Sequence, residues 1–107
     1  MEKVKRKRRV DRKHIIYQLT NSVNGNTYVG LTVMVGQGVW KAVKLRFLRH
    51  ASKARTTERG RSLLNEIRNF GEEAFLIEVL EVVRGKVNAH VREREIIAEL
   101  GPVLNDQ

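Results

Sequence analysis

The sequence predicts an α+β domain: a small antiparallel three-stranded sheet flanked by helices, in the order ββααβα. Three observations carry this. Two runs of β-branched and aromatic residues flank an Asn24-Gly25 pair, two stretches of helical periodicity follow, and an apolar β-branched run precedes a final helix ended by Gly101-Pro102. A hairpin, a third strand and packing helices make one α+β unit. The 107 residues suit a single domain, and 41% hydrophobic content is enough for one ordinary core.

Residues 1–13, MEKVKRKRRVDRK, hold eight Lys or Arg and no apolar periodicity. They read as a basic arm, disordered when free, with residues 14–107 forming the folded domain. Residues 14–20, HIIYQLT, read as the first strand. Asn24-Gly25 is a reversal signal because both residues tolerate positive φ, and residues 27–32, TYVGLT, read as the return strand. Residues 33–38 form a glycine-containing connection without the spacing of a phosphate-binding loop.

Helical periodicity runs from Val39 to about Lys53, with Trp40, Val43 and Phe47 as its apolar repeat and Leu45 and Leu48 as a second apolar edge. After a loop at 56–60, Ser62 to Asn69 read as a short helix burying Leu63, Leu64 and Ile67, with Gly71 as its stop. Residues 74–83, AFLIEVLEVV, suggest a well-buried strand, which Gly85 breaks. Residues 87–100 read as the last helix.

Charge narrows the function. Twenty-one Lys and Arg face twelve Asp and Glu, a net +9, which is the footprint of a protein that meets a polyanion. Lys5, Arg6, Lys7, Arg8 and Arg9 of the arm, with Arg49 and Lys53 of the first long helix, are the candidate phosphate contacts. There is no cysteine, so disulfides and thiolate-zinc sites are excluded, and the three histidines are too dispersed for a closed metal site. No apolar run approaches the ~18 residues of a membrane span, and the basic N-terminus lacks the apolar stretch of a secretory signal. The expectation is an intracellular protein, cytoplasmic or nucleoid-associated, that binds no membrane and no organic cofactor.

Certain polar residues break the pattern. At about 100° per residue, Ala89, Ile96, Ile97 and Leu100 fall within about 60° of Glu93. Glu93 therefore sits in the apolar stripe of the last helix, whereas Glu95 and Glu99 point elsewhere. A carboxylate among apolar neighbours needs a compensating cation, either a divalent metal or an arginine. Arg46 and His50, four apart, share a side of the first long helix and could together hold an anionic group. Tyr17 and Tyr28 lie eleven residues apart on opposite limbs of the hairpin. Tyrosine in a strand packs well, and its hydroxyl can also orient water or move a proton when its surroundings help.

Taken together, Ile15-Ile16-Tyr17, the Asn24-Gly25 turn and Tyr28-Val29-Gly30 resemble the paired motifs of the GIY-YIG nuclease family, with Ile15 where that family has glycine. Arg46-Phe47-Leu48-Arg49-His50 resembles the family's arginine-bearing helix. Ser62-Leu63-Leu64 through Phe70-Gly71 resembles its second helix, and Arg92-Glu93 with Ile97 and Leu100 resembles the helix of its metal-binding glutamate. Asn105 resembles the asparagine near its end. The resemblance covers about residues 14–105.

The resemblance implies a DNA endonuclease that hydrolyses a phosphodiester with one Mg2+ or Mn2+. Glu93 would ligate the metal, with Glu95 its rival, and Arg46 would hold the scissile phosphate. Tyr17 would accept the proton of the attacking water, activated by the site's positive charge, and Tyr28 would support it, or the two would exchange roles. His50 would aid proton transfer or touch phosphate, and Asn105 would steady the network. One site per chain implies nicking, with a homodimer on DNA for double-strand cleavage. Lacking a groove-reading module, the isolated chain should cut with low sequence specificity. The competing readings are a non-catalytic nucleic-acid-binding module of the same fold and a structural partner within a larger complex.

Overall fold

In the computed structural model, residues 12–34, 36, 38–56 and 62–106 are described. The phosphate contacts expected at Lys5, Arg6, Lys7, Arg8 and Arg9, and most of the loop expected at 56–60, lie outside the described residues. The elements run β1 (Lys13–Asn21), β2 (Thr27–Val33), α1 (Val39–Thr56), α2 (Ser62–Phe70), a single 3-10 turn (Glu72–Ala74), β3 (Phe75–Arg84) and α3 (Lys86–Leu100). The sheet is antiparallel in the order β2-β1-β3. No helix among the described residues is long and apolar enough to cross a membrane.

β1 is the central strand, and its alternation divides the interior. Ile15, Tyr17 and Leu19 point to one face, where Val43, Phe47, Ala51 and Ala54 of α1 and Leu63, Leu64 and Ile67 of α2 close over them. Ile16 points to the other face and meets Val29 and Ile96 of α3 in a smaller core. The hairpin closes where Asn24-Gly25 places it: Gly25 has φ 78°, and its N–H donates to the Asn21 carbonyl at 2.7 Å.

The strand expected to be well buried is an edge strand instead. Ile77 and Val79 of β3 pack toward α1 and α2, but Leu76 is 62% exposed, and Glu78 faces outward from the position opposite Gln18. An apolar run marks β structure without saying whether a helix covers both faces. In α1, the expected apolar repeat holds for Val43 and Phe47, which are buried. Trp40, one turn earlier, is 54% exposed, and the second apolar edge, Leu45 and Leu48, lies on the helix's outward side.

The pairing of β1 with β3 slips at one place. Ile16 stands opposite Glu81 while Tyr17 stands opposite Val79, so Leu80 is an extra residue on β3. Such a bulge bends the strand and re-aims its neighbours. It lies directly beside Tyr17.

The C-terminal segment ties the fold together. Leu104 is buried in the larger core, and its N–H donates to the Thr27 carbonyl at 2.9 Å. Asp106 accepts from both the backbone N–H (3.0 Å) and the hydroxyl (2.7 Å) of Ser62, satisfying donors at the start of α2.

Candidate active site

Tyr17 anchors the site. Its side chain is fully buried, and its hydroxyl lies 3.2 Å from Nε2 of His50 on α1. Arg46, one turn before His50, acts on the same hydroxyl and favours its ionised form. The phenol can donate its proton to a bare Nε2 or accept from an Nε2–H, according to the tautomer. Desolvation, with the Arg46 and Lys53 charges added, lowers the His50 pKa to about 4. The imidazole is therefore neutral at pH 7 and able to accept that proton.

Burial pushes the Tyr17 hydroxyl well above the ordinary phenol range, and Tyr28 adds to the rise; Arg46 opposes it, and the Glu93 charge raises it slightly further. The expected activation of Tyr17 by positive charge is thus outweighed by burial. Tyr28 stacks beside this pair. Its ring centroid is 6.3 Å from that of Tyr17 and 5.7 Å from that of His50, edge-on to the imidazole. Tyr28 is only half-buried, so of the two phenols it is the one that keeps contact with solvent.

Gly30 makes this packing possible. It stands opposite Tyr17 in the β1–β2 ladder. A Cβ there would come 2.5 Å from both Cζ and the hydroxyl of Tyr17 and 2.9 Å from Cε1 of Tyr28. Gly30 does not have positive φ, so the requirement is for space rather than for backbone freedom.

Glu93 enters from α3. Its side chain is 20% exposed, in line with its place in the apolar stripe, and Ala89 and Ile96 of the same stripe are buried. Desolvation raises its pKa, against the attraction of His90 and Arg94. Its rival, Glu95, is 60% exposed and pairs with Arg92 at 3.5 Å, while Arg92 also bonds Glu81 of β3 at 2.9 Å. Glu95 is thereby committed to a surface ion pair. Sequence reasoning missed His90, whose Nδ1 lies 3.8 Å from a Glu93 oxygen; the signal was its i,i+3 spacing from Glu93.

Asn105 does not join the hydroxyl cluster. Its side chain caps the β2 edge like a piece of added strand: Oδ1 accepts from the Val29 N–H and Nδ2 donates to the Val29 carbonyl, both at 2.8 Å. It thereby fixes the backbone between Tyr28 and Gly30. Arg49 and Lys53 are exposed on α1, and the Lys53 charge is felt at His50.

The arrangement gathers Tyr17 from β1, Tyr28 from β2, and Arg46 and His50 from α1, with the Glu93 charge reaching Tyr17 from α3. Comparison with protein-family models, with curated proteins and with solved structures finds no match to this chain. The functional reading rests on the geometry and on the motif resemblance.

Proposed function

We propose that the chain is a divalent-metal-dependent DNA endonuclease of the GIY-YIG type, hydrolysing phosphodiester bonds with low sequence specificity. The observation that carries this reading is one buried hydroxyl, that of Tyr17, hydrogen-bonded to a neutral histidine and within electrostatic reach of an arginine and a desolvated glutamate. A structural core has no need to collect those four groups from three elements.

The donor set fits a hard cation. A single desolvated carboxylate, Glu93, suits Mg2+ or Mn2+, which keeps most of its waters and shares the rest of its shell with substrate phosphate. When bound, the ion would neutralise charge at the scissile phosphate.

The chain's own groups do the rest. Arg46 donates to a non-bridging phosphate oxygen and to the charge that develops on it. Tyr28, the phenol that solvent reaches, orients the attacking water. Tyr17 holds His50 in place, and the neutral His50 imidazole is the nearest group able to take a proton. A bound phosphate beside His50 would raise its low pKa and so improve it as an acceptor.

A plasmid-nicking assay with Mg2+ tests this. The parent should nick supercoiled DNA and stop in chelator, and Glu93→Ala and Arg46→Ala should each lose roughly 100-fold or more. If both variants cut as well as the parent, the assignment fails. Metal-independent DNA binding without any strand cleavage would instead identify a binding module.

A further inference from the structure

α1 carries six Lys or Arg (Lys41, Lys44, Arg46, Arg49, Lys53 and Arg55) and no acidic residue. Set among these cations is an exposed indole, Trp40, 54% accessible, with Leu45 and Leu48 also on the outer side. At about 100° per residue, Trp40, Lys44 and Leu48 lie within about 80° of one another, with Lys41 close by. A tryptophan left in water beside lysines, with no carboxylate on the helix to pair them, fits a ligand that offers both a π face and negative charge.

We infer that Trp40 is a stacking platform for an unpaired DNA base, with Lys41 and Lys44 holding the adjoining phosphates. This deepens the nuclease reading and rests on it for where the base lies. Trp40 precedes Arg46 by six residues, about 9 Å along the helix axis and about 120° around it. A strand that passes from the Arg46 side to the indole therefore brings a base several nucleotides from the phosphate at Arg46 onto the ring. A base inside an intact duplex hides its face, so the platform selects DNA with a single-stranded or unpaired segment beside the cut. Discrimination would then depend on strand structure rather than base identity, because every base has a π face.

Trp40 is the only tryptophan in the chain, so its emission reports on this contact alone. The full chain, in chelator to prevent cutting, is titrated with a single strand of about 12 nucleotides and with the matching blunt duplex. The single strand should quench Trp40 emission, and the duplex should not. With labelled oligonucleotide, Trp40→Ala should weaken single-strand binding about tenfold or more, leave duplex binding within about twofold, and be largely rescued in Trp40→Phe. Trp40 is exposed, so these variants should fold, and their thermal melts check that. Equal affinity of parent and Trp40→Ala for the single strand overturns the proposal. So does equal quenching by poly-glutamate, which would make the face a general anion patch, or a concentration-dependent emission shift without DNA, which would place a second copy over the ring. Because no cutting is required, failure here leaves the nicking result for Glu93 and Arg46 to be judged separately.

Discussion

Glu66 and Glu93 are both partly buried glutamates on short stretches of helix, and they are treated in opposite ways. Glu66 of α2 lies under the hairpin turn. Its carboxylate accepts from Asn21 at 2.6 Å, from Asn26 at 2.7 Å and from Asn24 at 3.1 Å. Burial would raise its pKa, but the three amide donors outweigh that and lower it. Glu93 of α3 has no comparable set of donors, and desolvation keeps its pKa raised against the pull of His90 and Arg94. One carboxylate is settled by the fold, and the other is held in a state the fold does not favour. A group kept in an unfavourable charge state is a candidate for binding something that relieves it.

The largest expected effect separates these two glutamates by the same isosteric change. Glu66→Gln places an amide N–H₂ against asparagine N–H₂ groups. It should lower unfolding free energy in urea by about 1.5–3 kcal/mol and leave the intrinsic nicking rate of the folded fraction alone. Glu93→Gln removes a desolvated charge, so stability should stay level or rise while nicking falls roughly 100-fold or more. The pH dependence should differ in sign. The Glu66 contribution is present above the unfolded carboxylate pKa and is lost as pH falls through its lowered folded value. Ionising Glu93 instead costs stability as pH rises from its unfolded to its raised folded value. If Glu93→Gln destabilises the protein as Glu66→Gln does, Glu93 is a structural carboxylate and the comparison collapses.

A smaller effect sharpens the picture at the site end. Gly30→Ala would drive a methyl group into the Tyr17 ring, which is fully buried and has nowhere to retreat. The expected cost is about 1–3 kcal/mol in a urea melt. Nicking should fall more steeply than stability, because displacing the ring breaks its hydrogen bond to His50. The equivalent change at Gly25, where a Cβ meets nothing but φ is 78°, would strain only the backbone of the turn. A Gly30→Ala protein as stable and as active as the parent would show that the packing of Tyr17 against Tyr28 is unimportant.

Features that follow from local periodicity were legible in the sequence. Alternation around Tyr17 and Tyr28, the Asn24-Gly25 reversal and the stripes of Val43-Phe47 and Leu63-Leu64-Ile67 mark their elements within about three residues of where they lie. The anomaly at Glu93 was legible for the same reason, since a helical wheel needs only spacing. Features made by distant contacts were hidden. Nothing local says that Glu66 gathers three asparagines from 40 to 45 residues upstream, or that Asn105 reaches back to the Val29 backbone. The Leu80 bulge depends on pairing with β1, and the steric role of Gly30 depends on a ring across the ladder. Trp40 and β3 were misjudged because an apolar residue predicts burial only if some other element arrives to cover it.

The smallest effect concerns His50, which faces Tyr17, Tyr28, Arg46 and Lys53. Its pKa of about 4 lies below the ordinary 6.5, so between those values the unfolded chain takes up a proton that the folded chain refuses. Stability should therefore fall as pH drops through that window, the charged imidazole being unwelcome beside two cations. His50→Gln removes the titration. The stability difference between parent and variant should change by about 1–2 kcal/mol between about pH 7 and pH 4.5, partial solvent access trimming the full value. Denaturant melts across that range measure it. Parallel profiles would mean that His50 protonates as freely as a surface histidine. A protonated Nε2 could only donate to Tyr17. The slope therefore measures, independently of any cleavage assay, whether the fold keeps this imidazole neutral beside Arg46 and Lys53.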